Sequence, residues 1–260
     1  EMLEVTRDEA GSRAAVALRI SLEELRAKLS QHFESEAHGV VSLLSDVPDL
    51  WDVKLDSSPT DCGSSRFRQE ASHEPIVDFV KRLTQRPVVG VGRFTSPDTM
   101  VSQIRRGILD FVGGARPSIA DPFLPEKIRE GRIDDIRECI GCNLCIASWH
   151  DGVPVRCTQN ATAGEEWRRG WHPERFLKVK QPEQLLVVGG GPAGLEAALI
   201  AAKQGYEVTL AERSEDWGGR VLKESRLPGL ATWLRVRDYR VNALSQMGNV
   251  SLFSGSDMDA

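Results

Sequence analysis

Four of the five cysteines in this 260-residue chain fall within nineteen residues, and their spacing constrains the fold more than any other feature. Cys139, Cys142 and Cys145 form a C-x2-C-x2-C run, and Cys157 follows after eleven intervening residues. Gaps of two residues let successive thiolates turn around one corner of a cubane, and a distant fourth thiolate closes the last iron. Zinc sites instead group their ligands as two pairs. Three plus one therefore points to a [4Fe–4S] cluster, with a zinc knuckle or a set of unliganded thiols as the alternatives. Clustered cysteines also fit a reducing compartment better than scattered extracellular disulfides, so a cytoplasmic setting is expected. Cys62 stands apart and reads as a packed or incidental thiol.

A second motif lies downstream. Leu185-Leu186-Val187-Val188 runs into Gly189-Gly190-Gly191-Pro192-Ala193-Gly194, and Leu195 to Ala198 opens a helix. In this strand–turn–helix context Gly189 permits the tight turn, Gly191 lets a pyrophosphate approach the backbone, and Gly194 allows close packing of helix on strand. Glu212 ends the next strand-like run eighteen residues past Gly194, where a carboxylate can accept hydrogen bonds from ribose hydroxyls. The unit is expected to bind an ADP-type moiety. Arg213 could meet a 2′-phosphate, although a surface charge is the simpler role.

Upstream of the cysteines, strand-like runs at 15–20, 51–55, 87–91 and 108–112 alternate with helical patterns near 36–46, 75–85 and 97–106. Pro97 after Ser96 marks a helix start. The alternation predicts parallel βα units, either in a doubly wound sheet or in half of an eight-stranded barrel, and spacing alone does not choose between them. A helix is expected over 121–132, then the cysteine segment and a polar, loop-rich stretch to about 181. The chain begins at Glu1 and stops soon after a strand-like stretch, which reads as a fragment. A net charge of −5, from 33 basic and 38 acidic residues, gives no basic face for nucleic acid. The longest apolar stretch, 185–202, is broken by glycines and Pro192 and contains Glu196, so no membrane span is expected.

These motifs, together with Gly113-Gly114-Ala115-Arg116-Pro117-Ser118 and the run from Cys157 to Glu174, resemble the iron–sulfur flavoproteins of the old yellow enzyme class. That class includes trimethylamine dehydrogenase, histamine dehydrogenase and 2,4-dienoyl-CoA reductase, and the likeness is strongest to the trimethylamine dehydrogenase branch. The resemblance implies an α/β chain made of the C-terminal half of an FMN-binding (β/α)8 barrel (1–130), a [4Fe–4S] connector (131–180) and the start of a Rossmann-like ADP- or FAD-binding domain (181–260). Gly92, Arg93, Gly114 and Arg116 would then hold the FMN phosphate, and Arg19 would face the flavin N1/O2 edge. Asp61 would belong to the active-site polar network and Trp149 to an aromatic bowl around an amine. Ser58 stands where a bowl tryptophan is expected, which points to a methylated or secondary amine other than trimethylamine.

The activity implied is oxidation of a small-molecule amine, with electrons passing from FMN through the cluster to an electron-transfer flavoprotein or similar acceptor. A homodimer is compatible with this reading. An NAD(P)H-dependent enoate or dienoyl-CoA-type reductase is the alternative, and a non-catalytic cofactor-binding fragment is a third. Anaerobically purified protein is expected to carry about four iron and four sulfide per chain with broad visible absorption. Zinc in place of iron would overturn the cluster.

Overall fold

Four short apolar runs in the first part of the chain become parallel strands, and two of them begin on a backbone pinned by an aspartate. In the computed structural model, which describes residues 1–22, 33–55, 65, 68–172 and 174–258, the Asp49 carboxylate accepts the Val16 N–H at 2.9 Å, and the Asp110 carboxylate accepts the Val88 N–H at 2.8 Å. Each aspartate precedes one strand and ties the start of its neighbour, which sets the register. The strands are β1 (Ala17–Ser21), β2 (Leu50–Lys54), β3 (Val88–Val91) and β4 (Phe111–Gly113). They are parallel and ordered β1-β2-β3-β4, without the reversal of a doubly wound sheet.

A helix α1 (Met2–Ala10), not anticipated from the sequence, precedes β1. Between the strands lie α2 (Phe33–Leu43), α3 (Glu74–Leu83) and α4 (Pro97–Arg105). Ala37 and Val41 of α2 and Val77 and Val80 of α3 pack on Trp51, Val53 and Val88, the residues on one face of the sheet. The opposite face carries Arg19, Asp52, Val89 and Phe111 at matching register. It stays open, with Phe111 54 % exposed. Ser96 makes no side-chain cap at the start of α4. Glu70, from the loop before α3, takes the N–H groups of Thr95 (2.6 Å) and Ser96 (3.0 Å) and the Thr99 hydroxyl instead.

Two local expectations shift. The strand expected at 108–112 begins only at Phe111, because the N–H groups of Ile108 and Leu109 bond back to the Gln103 carbonyl and close α4. The helix expected over 121–132 is observed as the shorter α6 (Leu124–Arg129), and a further short helix, α5 (Ala115–Ala120), comes before it. Between them the Asp121 side chain accepts the Phe123 N–H at 3.0 Å and fixes the turn that leads into α6, which has no side-chain cap.

The chain divides into two compact units, Glu1–Pro117 and Ser118–Ala260. In the second, α7 (Leu144–His150) and α8 (Glu166–Arg169) interrupt a loop-rich stretch. After them come β5 (Gln184–Val188), α9 (Pro192–Gln204), β6 (Glu207–Ala211), α10 (Val221–Glu224), α11 (Arg235–Ser245) and β7 (Val250–Phe253). The strands are parallel in the order β5-β6-β7. Gly205, at φ +98°, ends α9 with its N–H on the Ala202 carbonyl. Among the described residues no helix is long and apolar enough to cross a membrane. Leu210 is fully buried against α9 and α11. Leu210→Ala is expected to lower the unfolding free energy of the second unit by about 2–5 kcal/mol, measured by urea denaturation.

Candidate functional site

In the second unit, the glycine turn is shaped by close contacts at Gly190 and Gly194 and by a positive φ at Gly189. Gly189 has φ +102° and donates its N–H to the Ala211 carbonyl at 2.8 Å, which joins the turn to the end of β6. A Cβ on Gly194 would lie 1.9 Å from the Gly189 carbonyl oxygen, so α9 can approach β5 only with glycine there. A Cβ on Gly191 would meet open space. The Glu212 carboxylate accepts the N–H of Gly190 at 2.6 Å and that of Ser214 at 2.9 Å. These backbone donors, Ser214 first, hold its carboxyl below the usual range, and burial opposes them more weakly. Beside Glu212 opens a cleft of about 580 Å³ lined by Arg213, Ser214, Gly219, Arg220 and Lys223.

Sequence reasoning missed the second wall of this turn. A Cβ on Gly190 would lie 2.5 Å from the Trp217 ring, Gly218 donates its N–H to the Gly190 carbonyl at 2.8 Å, and a Cβ on Gly219 would come within 3.3 Å of the Gly191 Cα. The paired glycines 218 and 219 were the available signal.

The cysteine segment belongs to the same unit. Gly141 (φ +66°) and Asn143 (φ +59°) are both left-handed and curl the chain between Cys139, Cys142 and Cys145. All four cysteines are half-buried. Cys142 Sγ is hydrogen-bonded to Thr158 Oγ1 at 3.2 Å, and Cys157 Sγ accepts the Gln159 N–H at 3.4 Å. Burial pushes the Cys157 thiol up, while the N–H groups of Gln159 and Asn160 pull against it. Ile140 packs with Val221 and Val236, which lays α10 and α11 against the cysteine turn. Among the described residues no three Cys, His, Asp or Glu side chains form a group that could hold a metal ion. The fit to a cluster therefore rests on an all-thiol donor set and on the N–H donor aimed at Cys157. Trp149 lies on α7, 67 % exposed, in edge contact with His150.

In the first unit, β3 and β4 pair with Val91 opposite Gly113, so the loops carrying Gly92-Arg93 and Gly114-Arg116 leave the sheet side by side. Gly92 is packed under the Ala71 backbone, where a Cβ would meet Ala71 Cα at 3.2 Å. Arg93 is buried at φ +53°, with Nη2 donating to the carbonyls of Arg68 (3.0 Å) and Ser65 (3.5 Å). Gly114 is exposed, and Arg116 is half-buried on α5. Arg19 projects from the open sheet face and pairs with Asp52 at 3.2 Å, its side chain 60 % exposed. Asp61, Ser58 and Cys62 lie outside the described residues.

Residues 1–135 match the NADH:flavin oxidoreductase / NADH oxidase family. The chain belongs to this family. Residues 187–253 match the NAD(P)-binding Rossmann-like domain. Dimethylamine dehydrogenase of Hyphomicrobium sp. (strain x) is 45 % identical over 251 residues, which are 95 % of this chain and 34 % of that protein. The NADH oxidase of Thermoanaerobacter brockii is 38 % identical over 79 % of this chain and 31 % of its own. Among solved structures, 6-hydroxypseudooxynicotine amine oxidase from Pseudomonas geniculata N1 superposes with TM-score 0.92 at 52 % identity, covering 98 % of this chain and 38 % of that one. Histamine dehydrogenase from Rhizobium sp. 4-9 gives TM-score 0.92 at 48 % identity, with coverages of 98 % and 37 %. The chain thus spans about a third of the length of the curated relatives. The likeness to the amine-dehydrogenase branch, expected from the motifs, is borne out by these relatives.

The lowered Glu212 carboxyl fixes a pH dependence. A carboxyl depressed in the folded state adds stability above its unfolded value, near 4.5, and that stability is lost as pH falls through the folded value. Glu212→Gln should therefore flatten the fall in thermal stability of the second unit below pH 4.5, as read from melts between pH 6 and about 3.

Proposed function

We propose that the whole protein oxidises a methylated or secondary amine, using FMN, a [4Fe–4S] cluster and a bound ADP or FAD. What carries the reading is likeness to amine-oxidising proteins at 45 % and 52 % identity over at least 95 % of the chain. The sheet of the first unit supports it. Four parallel strands in sequence order, helices on one face and an open face that carries Arg19 are what the C-terminal half of an FMN barrel presents. The organisation proposed is barrel half 1–130, cluster connector 131–180 and dinucleotide segment 181–260.

In this reading FMN supplies a two-electron acceptor, and the cluster supplies one-electron relay to an electron-transfer flavoprotein or similar acceptor. Gly92, Arg93, Gly114 and Arg116 would hold the flavin phosphate, because their loops emerge together at the strand ends. Arg19, held by Asp52 yet exposed on the open face, would place positive charge at the flavin ring. Cys139, Cys142, Cys145 and Cys157 would hold the cluster. Gly189 and Gly194 would shape the turn that admits a pyrophosphate over Gly191, and Glu212, whose carboxylate retains acceptor capacity beyond its two backbone donors, would take the ribose. Asp61 and Trp149 would line the amine site, where an exposed indole face suits a cation.

The match to an NADH oxidase and to a nicotinamide-type Rossmann domain favours a second reading, a reductase of the enoate or dienoyl-CoA type fed by NAD(P)H. Anaerobic titration of the full-length protein separates the two. Flavin bleaching by dimethylamine or another secondary amine, and none by NADPH or NADH, is expected. Bleaching by a nicotinamide alone would sink the amine reading.

A further inference from the structure

Arg240 of α11 is 3 % exposed, and its five N–H donors meet five acceptors. Nε donates to Glu196 Oε2 at 2.6 Å, which holds α11 to α9. Nη1 donates to the Val236 carbonyl at 2.8 Å, a bond within α11. The remaining three bonds converge on the two residues that follow Cys157. They run from Nη1 to Gln159 Oε1 at 3.0 Å, and from Nη2 to the carbonyls of Gln159 (3.3 Å) and Thr158 (3.5 Å).

Gln159, itself 1 % exposed, turns this grip into a constraint on the cysteines. Its side-chain Nε2 donates to the carbonyl of Glu138, the residue before Cys139, at 3.0 Å. Its backbone N–H points at Cys157 Sγ. Thr158, its neighbour, meets Cys142. One dipeptide, exposed at Thr158 and buried at Gln159, therefore touches the first, second and fourth cysteines or their flanks, and Arg240 fixes it from outside the loop. Only a planar fork of five donors can serve all these acceptors. A lysine ammonium has three donors on a single point and would leave buried carbonyls unmet.

We propose that Arg240, acting through Gln159, is a positioning residue for the cluster: it sets the distance between the distant Cys157 and the C-x2-C-x2-C run and keeps the Gln159 N–H directed at the Cys157 sulfur. The proposal rests on the cluster reading above. Partners of this kind, one shell outside the ligands, typically change metal retention by about 10–100-fold when removed, and N–H···S bonds raise the potential of an iron–sulfur centre.

The experiment uses full-length protein, purified anaerobically, with Arg240→Lys, Gln159→Met and Glu196→Gln compared with the parent. Iron per chain, the rate of loss of visible absorbance under a chelator, the electron paramagnetic resonance spectrum after dithionite reduction and the midpoint potential are measured. Arg240→Lys and Gln159→Met are expected to lose absorbance about ten-fold faster or more, with altered g-values and a lower potential. Glu196→Gln, which keeps an acceptor for Nε, should match the parent. Should Arg240→Lys fail to fold, Gln159→Met decides, since it preserves side-chain length and leaves the Arg240–Glu196 pair in place. Iron-loaded Gln159→Met with the parent's chelation rate, spectrum and potential overturns the inference. A parent protein without iron overturns the cluster reading beneath it.

Discussion

A stretch of short helices joined by long loops can pack only if side chains satisfy the backbone groups that regular structure would otherwise pair. Residues 118–174 meet this condition through a few buried polar residues. Asp121, wholly buried, takes the N–H of Phe123, the N–H of Arg137 at 2.8 Å and the Lys127 ammonium at 2.6 Å. Arg137 returns its Nε to the Ala120 carbonyl at 2.6 Å and pairs with Glu174, so both ends of the stretch are drawn onto one guanidinium. Asn160 donates to the Ile119 carbonyl and folds its own amide oxygen over Thr162. Without these contacts the cysteine loop would have no fixed course, whatever its spacing.

The parts of the molecule that were readable from sequence are those whose physics is local. The glycine turn is one: Gly189 needs a positive φ and Gly194 needs the absence of a Cβ, and both needs are written at the position itself. Strand identity in the first unit was also readable, because Trp51, Val53 and Val88 alternate with half-exposed residues. What failed to show was non-local or competitive. Ile108 and Leu109 have strand-like side chains, but the Gln103 carbonyl captures their N–H groups, and Leu109 fills the space over Gly90, which has no side chain of its own. Asp121 looked like an early helical residue and instead holds the turn before α6 through the Phe123 N–H. Arg240 and Gln159 are separated by 81 positions, and no periodicity links them.

Charge is also handled differently in the two units. Around the first sheet, ion pairs such as Arg19–Asp52 and Lys81–Asp110 are partly solvated and contribute little each. In the second unit, Arg137 and Arg240 are buried and multiply bonded, and losing either guanidinium would leave buried acceptors unmet. The second unit thus gains definition of its loops at the cost of tolerance to substitution.

Arg93 shows the same trade at the scale of one residue. Its backbone sits in a left-handed conformation that disfavours side chains by about 1–2 kcal/mol relative to glycine. Gly92 immediately before it shows that glycine is used in this loop. A long cationic side chain retained under such local tension means that its grip on the carbonyls of Ser65 and Arg68 outweighs the comfort of the main chain. The loop is in effect a loaded spring with the guanidinium as its catch, and anything that drew the catch away would let the turn relax.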